Sequence, residues 1–139
     1  MRVRPVTADD AREVARLCTD LGYPSTRADI LSRAAGLPAD HAVLVAERSG
    51  EVVGWIHVRA SHLLVSAPRA EIAGLMVDAP AQRDGVGRTL VEAAEAWARD
   101  RGLDSILVRS NVVREGAHAF YEALGYERTK TSLNFTREL

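Results

Sequence analysis

The sequence predicts one α/β domain, residues 1–139, with helices on both faces of a mixed, mostly antiparallel sheet. Two apolar segments that flank Ser49-Gly50 indicate an antiparallel hairpin. Farther along the chain, strand patterns alternate with helix patterns, which is typical of parallel βαβ crossovers. Because 139 residues with 47% hydrophobic side chains fit a single core, we expect no second domain.

Charge and cysteine content narrow the class of protein. The chain has 18 basic and 19 acidic residues and no run of like charge, so we expect neither a nucleic-acid partner nor a membrane partner. Cys18 is the only cysteine, which excludes an internal disulfide. Neither an apolar leader at the N-terminus nor an 18-residue apolar segment is present, and a cytoplasmic location is the resulting expectation.

The first quarter of the chain predicts a short strand and two helices. The strand is "VRPV", residues 3–6. Thr7 and Asp10 have the spacing of a capping box, which predicts a helix over about 8–21. A second, weaker helix is predicted over about 26–36, where glycine and proline follow.

The middle of the chain predicts three strands. The segments "AVLVAER" (42–48) and "EVVGWIHVRA" (51–60) form the predicted hairpin. The next segment, "SHLLVSAP" (61–68), is predicted to be a loop or irregular link. A strand buried on at least one face is then predicted for "RAEIAGLMVD" (69–78).

The last third of the chain alternates helices and strands. A helix from about Gly87 to Gly102 is followed by a strand in "DSILVRS" (104–110). The segment "EGAHAFYEALGY" (115–126) predicts another amphipathic helix, and "TSLNFTREL" (131–139) predicts a final strand. The full predicted order is β-α-α-β-β-β-α-β-α-β.

Two glycines, Gly85 and Gly87, stand where the third helix begins. They serve either a flexible turn or a backbone left bare for a phosphate. A phosphate is a suitable ligand there, because a helix N-terminus presents unpaired N–H groups and a partial positive charge. Arg83 and Arg88 add positive charge on either side. The segment is not a Walker loop, since Arg88-Thr89 replaces the Lys-Ser/Thr pair. It also lacks the third small residue of the dinucleotide fingerprint, because Leu90 stands there.

Two motifs together resemble the GCN5-related N-acetyltransferase (GNAT) superfamily. One is Gln82-x-x-Gly85-x-Gly87 after a strand, and the other is "AHAFYEALGY" one βα unit later. The family's pyrophosphate loop reads Gln/Arg-x-x-Gly-x-Gly/Ala, and its later helix reads Asn-x-x-Ala-x-x-Phe-Tyr. The resemblance covers nearly the whole chain. It implies a sheet of about six to seven strands, in which two central parallel strands splay apart to admit acetyl-coenzyme A, and no metal.

The resemblance also implies which residues bind the cofactor. The pantetheine arm is expected along the backbone of the strand before the loop, and the pyrophosphate on the loop itself. Gly74 in that strand fits a bulge or bend, or else tight side-chain packing. The asparagine of the helix motif is replaced by Arg114, and Asn111 lies three residues earlier, so either residue or neither reaches the cofactor. The complete set of expected cofactor-binding residues is Leu75, Met76, Val77, Gln82, Arg83, Asp84, Gly85, Val86, Gly87, Arg88, Asn111, Arg114, Ala117 and Phe120.

Two residues are candidates for catalysis. Tyr121 matches the family's tyrosine that faces the cofactor sulfur, where a phenol can return a proton to the departing thiolate; the alternative is a core aromatic. Glu71 lies fourteen positions before Gly85, an offset similar to that of the glutamate base in histone-acetylating members. Strand alternation puts Glu71 on one face with Ala73, Leu75 and Val77. The alternative for Glu71 is a solvated carboxylate paired with Arg69 or Arg59.

The resemblance implies transfer of an acetyl group from acetyl-coenzyme A to a primary amine, by direct attack in a ternary complex. A backbone N–H near Val77 would polarise the carbonyl. The acceptor stays open between a small-molecule amine and a protein or peptide amine, although "WAR" (97–99) and "YERTKTSLNF" (126–135) resemble aminoglycoside 6'-acetyltransferases. His57 and His62 are candidates for lining its pocket. Many family members are homodimers, which we also expect here.

Two other functions fit the same motifs. One is a non-catalytic module that binds or senses acyl-coenzyme A, and the retention of Glu71 and Tyr121 speaks against it. The other is a nucleotide-binding fold without coenzyme A.

Overall fold

The computed structural model describes residues 1–110 and 115–139. They fall into two compact units, residues 1–108 and residues 109–139, each described here by itself. The first unit contains five strands and three α-helices: β1 Arg2–Pro5, α1 Ala11–Asp20, α2 Arg27–Ala35, β2 His41–Arg48, β3 Glu51–Leu63, β4 Ser66–Val77, α3 Val86–Asp100 and β5 Ile106–Val108. The second unit contains the helix α4, Glu115–Ala123.

The five strands form one sheet in the order β1-β2-β3-β4-β5. The first three pairings are antiparallel and the last, β4 with β5, is parallel. This confirms the predicted mixed, mostly antiparallel sheet and the hairpin at Ser49-Gly50. Both turn residues have positive φ, +52° at Ser49 and +80° at Gly50, as a two-residue hairpin requires.

Helices pack on both faces of the sheet. The helix α1 places its apolar stripe, which includes Leu17, against Val45 and Trp55. Residue Gly54 points the opposite way along β3, and a Cβ there would meet the side chains of Leu90 and Val86 in α3. The sheet is therefore covered by α1 on one face and by α3 on the other, as the sequence predicts.

A buried ion pair fixes the start of α1. The carboxylate of Asp10 accepts from both terminal nitrogens of Arg4, at 2.8 and 2.9 Å, and from the backbone N–H of Thr7 at 2.7 Å. The hydrogen bond from Arg4 is the main reason that the pKa of Asp10 lies below its usual range. The predicted capping box is confirmed, although the first turn, Ala8–Asp10, is a 3₁₀ turn.

Two predictions from the sequence are wrong. The segment 61–68 is not a loop, because β3 extends to Leu63 and β4 begins at Ser66. Leu64 and Val65 form the exposed tip of the resulting long hairpin. The final strand is also wrong: among the residues described after Val108, none lies in a strand, so the sheet has five strands instead of six to seven. A strand needs a neighbour for its backbone, and Leu133 and Phe135 are instead 79% and 90% exposed.

In the second unit, α4 confirms the helix predicted from "EGAHAFYEALGY". Its half-buried residues include Phe120 and Tyr121. It ends where Gly125 takes φ +92° and the amide of Tyr126 donates to Tyr121 O at 3.0 Å. In the part of the chain that the structure describes, no helix is long and apolar enough to cross a membrane.

Candidate functional site

The predicted glycine loop joins β4 to α3 through a 3₁₀ turn, Ala79–Ala81. The amide of Asp78 donates to Val53 O at 2.8 Å, which holds the end of β4 against β3. Gln82, the first residue of the motif, donates its side-chain amide to Val77 O at 3.1 Å. The glutamine side chain thus ties the loop to the last residue of the strand.

The end of the loop leaves the N-terminus of α3 bare. Gly85 is the residue before the helix and has φ +82°, a conformation that favours glycine. No side chain of residues 1–110 or 115–139 caps the helix there. The first helical amide with a backbone acceptor is that of Thr89, which donates to Gly85 O at 3.0 Å. Within the described residues, the amides of Val86, Gly87 and Arg88 have no backbone acceptor.

The loop therefore has the features of an anion-binding site. A 15-residue helix directs its free amides and the positive end of its dipole into solvent. A Cβ at Gly85 would meet nothing within 4 Å, so the approach to the amides is open. Gly85 thus provides the left-handed turn and leaves open space beside the amides.

Charged side chains surround this loop. Arg83 and Arg88 are both exposed, and Arg88 donates to Glu92 at 3.1 Å. Asp84 is paired with Arg48 of β2 at 3.2 Å, which neutralises the one carboxylate within the loop. Two exposed guanidinium groups therefore stand beside the free amides.

The strand that leads to the loop has an open edge. Within the first unit as described, β5 pairs only with Ala70–Ile72, so Gly74–Val77 have no strand neighbour on that side. Because Asp78 points its amide to β3, Val77 points its peptide groups to the open side, and so does Leu75 two residues earlier. Leu75 therefore offers a backbone donor and acceptor to a ligand, next to the bare end of α3. Val77 offers its amide, because its carbonyl already accepts from Gln82.

A β-bulge marks the point where β5 ends beside β4. His57 is paired with Gly74 and Val58 with Ile72, so Ala73 is the extra residue. The Trp55 ring covers Gly74, with ring carbons 2.9 and 3.0 Å from the position of a Cβ. Both expectations for Gly74, a bulge and tight packing, are confirmed.

The bulge also corrects the predicted alternation. Glu71 is opposite Arg59, and Gly74 is opposite His57, so Glu71 shares a face with Gly74 and Met76. Leu75 and Val77 point to the other face, and Ala73 is exposed. The prediction that Glu71, Ala73, Leu75 and Val77 share one face is therefore wrong.

Glu71 is buried, with 7% of its surface exposed, on the sheet face that carries α1. Its Oε2 accepts from Nη2 of Arg59 at 3.2 Å, which matches one of the two expected partners. The alternative also expected a solvated carboxylate, and that part of it is wrong. Glu71 lies two residues before the bulge at Ala73, where the open edge of β4 begins.

Two histidines that the sequence leaves separate meet on the same face. Nδ1 of His41 and Nε2 of His57 lie 2.8 Å apart. Burial is the main reason that the pKa of His57 lies below its ordinary value, with His41 and Arg59 acting in the same direction. His57 is therefore neutral at pH 7, and it shares a sheet face with Arg59 and Glu71. His62 is exposed and lies 3.9 Å from Asp40.

The remaining candidate residues belong to the second unit. The Tyr121 ring contacts the rings of Phe120 and Tyr126, with centroids 5.0 and 5.7 Å away. Ala117 is half-buried on the same helix. Asn111 and Arg114 lie outside the described residues, so the open choice between them stays open. Among the described residues, no group of three or more His, Cys, Asp or Glu side chains could hold a metal ion.

Known proteins are similar to this chain in sequence and in fold. Residues 8–126 match the family model described as Acetyltransferase (GNAT) family. An aminoglycoside N(6')-acetyltransferase type 1 from Stenotrophomonas maltophilia is 37% identical over 73% of this chain and 69% of its own length. A mycothiol acetyltransferase from Salinispora arenicola is 32% identical over 96% of this chain, which spans 46% of that protein. The structure of AAC(6')-Iy with a bisubstrate analogue of coenzyme A and acetylneamine has a TM-score of 0.87 at 16% identity, covering 99% of this chain and 98% of that one.

The fold and the matched sequence define an acyltransferase that uses acetyl-coenzyme A as its donor. The chain belongs to the acetyltransferase (GNAT) family. The family expected from the glycine loop and the α4 motif is thereby confirmed.

Proposed function

We propose that residues 1–139 form one catalytic domain that transfers an acetyl group from acetyl-coenzyme A to the primary amine of an acceptor, by direct attack in a ternary complex. The observation that supports this most is the bare N-terminus of α3 next to the open edge of β4. A bare helix N-terminus suits a diphosphate, and an open strand edge suits an extended chain with amide groups. Coenzyme A contains both, as its pyrophosphate and its pantetheine arm. The amides of residues 85–88 would hold the pyrophosphate, and the peptide groups of Leu75 together with the amide of Val77 would pair with the pantetheine.

The reaction then needs a proton acceptor and a proton donor. The amine nitrogen attacks the thioester carbon, the C–N bond forms and the C–S bond breaks. In this proposal Glu71 takes the amine proton, directly or through a water, and Tyr121 gives a proton to the thiolate. An amide of the open edge near Val77 would bind the developing oxyanion.

Cys18 has no part in this scheme. The thiol lies on the buried face of α1, and burial raises its pKa, which disfavours the thiolate that a nucleophile needs. This supports a transfer without an acyl-enzyme on Cys18.

The experiment is acetyl-coenzyme A turnover against a panel of amines, followed by thiol release, with thermal melting as a separate measure of cofactor binding. Acetylation of at least one small amine, together with a melting temperature raised by acetyl-coenzyme A, is expected. A protein that acetyl-coenzyme A does not stabilise would contradict the proposal.

One observation favours a second function, a non-catalytic module that binds acyl-coenzyme A. The Glu71 carboxylate is already held by Arg59, so its Oε2 is occupied before an acceptor binds. Stabilisation by acetyl-coenzyme A without thiol release for any amine would support that module. We favour the enzyme because Glu71 and Tyr121 are both retained and the relatives named above are acetyltransferases.

The homodimer expected from the family is also a proposal. It is supported by the tail of the chain, where Leu133 and Phe135 are exposed apolar residues. Light scattering after size exclusion should give twice the 15.1 kDa of one chain. A monomer mass at micromolar concentration would contradict it.

A further inference from the structure

A pair of arginines lies around Glu71 on the sheet face that carries α1. Arg59 is opposite Glu71, and Ser61 is opposite Arg69. Opposite residues of an antiparallel pair share a face, as do residues two apart in a strand, so Arg59, Arg69 and Glu71 all lie on one face. We call these three residues the Arg59–Arg69 cluster.

The cluster contains hydrogen-bond donors that no group in the described part of the chain accepts from. The Nε atoms of Arg59 and Arg69 are both buried and have no hydrogen-bond partner among the described residues. A buried N–H without an acceptor is unfavourable, and an anionic oxygen is the acceptor that a guanidinium binds best. The two guanidinium groups therefore favour a ligand with such an oxygen.

The charge of the cluster also favours an anionic ligand. Two guanidinium groups lie beside one carboxylate, and the neighbouring His57 is neutral at pH 7, so the cluster carries a net positive charge. Asp40, at the same end of β3, lies beside His62 instead. An acceptor with several ammonium groups, such as an aminoglycoside, would meet more repulsion than attraction at this cluster.

We propose that the acceptor is a small amine that also carries a carboxylate, phosphate or phosphonate. The anionic group binds the guanidinium groups of Arg59 and Arg69, and the amine is directed to Glu71. This rests on the proposed function, because Glu71 marks the acceptor site only if it is the base. It goes further by assigning a charge to the acceptor.

The first test compares matched amines with the wild-type enzyme. Amino acids are compared with their amides, aminoalkylphosphonates with alkanolamines, and an aminoglycoside is included. We expect kcat/KM to be at least about tenfold higher for the anionic member of a pair, the effect of one charge-assisted hydrogen bond. Equal rates within the pairs, or the aminoglycoside as the best acceptor, would overturn the proposal.

The second test needs no acceptor. With the protein saturated with coenzyme A, so that the glycine loop is occupied, inorganic phosphate is added and the melting temperature is followed. Phosphate should raise it in wild type and in the control Arg99→Gln, which changes an exposed arginine of α3, but not in Arg69→Gln. The same response in wild type and Arg69→Gln, or no response in either, would overturn the proposal. A failure of coenzyme A itself to bind would instead contradict the proposed function.

Discussion

At the scale of single residues, Asp10 shows how one buried carboxylate joins three segments of the first unit. It holds Arg4 of β1 and the amide of Thr7, and Arg4 also donates to Glu47 of β2 at 2.7 Å. Asp10 is 5% exposed, whereas Asp9 beside it is exposed. The two adjacent aspartates therefore form a matched pair for mutagenesis.

Asp10→Asn should lower the free energy of unfolding at pH 7 by about 2 kcal/mol, because it weakens a buried, charge-assisted pair. Asp9→Asn should change it by less than about 0.5 kcal/mol. Urea unfolding at pH 7 measures both values, and equal effects would contradict the role of Asp10.

The same carboxylate predicts a dependence on pH. Because the pKa of Asp10 is depressed in the folded protein, its contribution is present above the ordinary value near 3.8 and is lost as pH falls through the folded value. The difference in stability between wild type and Asp10→Asn should therefore shrink below pH 4. A difference that is constant from pH 7 to pH 3 would contradict this.

Glu71 is the residue on which the proposed chemistry depends. Glu71→Gln should lower kcat by about 100-fold, the usual contribution of a general base, and leave the affinity for acetyl-coenzyme A unchanged. The control is Glu51→Gln, at the exposed start of β3, which should leave kcat unchanged. Full activity of Glu71→Gln, measured by thiol release, would exclude Glu71 as the base.

The contact between His41 and His57 shows why some of the site was beyond sequence reasoning. From the two-residue turn at Ser49-Gly50, His41 would be opposite Val58, and His57 would point to the other face. A register shift between Ala46 and Glu47 places His41 opposite Arg59 instead, on the same face as His57. The face of Glu71 was not predictable for the same reason. The extra residue Ala73 reverses which side chains of β4 point to each face of the sheet.

At the scale of elements, the loop and helix from Gln82 to Asp100 were predictable. The helix, its glycine start and its end near Gly102 follow from local preferences that no distant contact overrides. What the sequence left open was whether Gly85 serves the turn or a ligand. The helix provides its own control, because Gly102 just after its end has a similar φ of +73° and similarly open space.

Gly85→Ala and Gly102→Ala should each lower stability by about 1 kcal/mol, because both force alanine into the left-handed region. Only Gly85→Ala should also weaken acetyl-coenzyme A binding, since its methyl group would stand at the approach to the free amides. Calorimetric titration of both variants distinguishes the two effects. Equal affinities would mean that Gly85 serves the turn alone.

At the scale of the whole molecule, the order and packing of the elements in the first unit were predictable from the sequence. Amphipathic stripes and turn signals specify α1, α3 and the β2–β3 hairpin without reference to distant residues. The long β3–β4 hairpin and the end of the sheet at β5 were not predictable in this way. They depend on whether a neighbouring strand is present, which a local pattern does not report.

The central claim is that the amides at the start of α3 hold the pyrophosphate of coenzyme A. The most direct measurement is a series of ¹H–¹⁵N NMR spectra during titration with coenzyme A. We expect the largest shifts at the amides of residues 85–88, with smaller ones at Leu75 and Val77. Saturable binding that leaves residues 85–88 unchanged would contradict the claim.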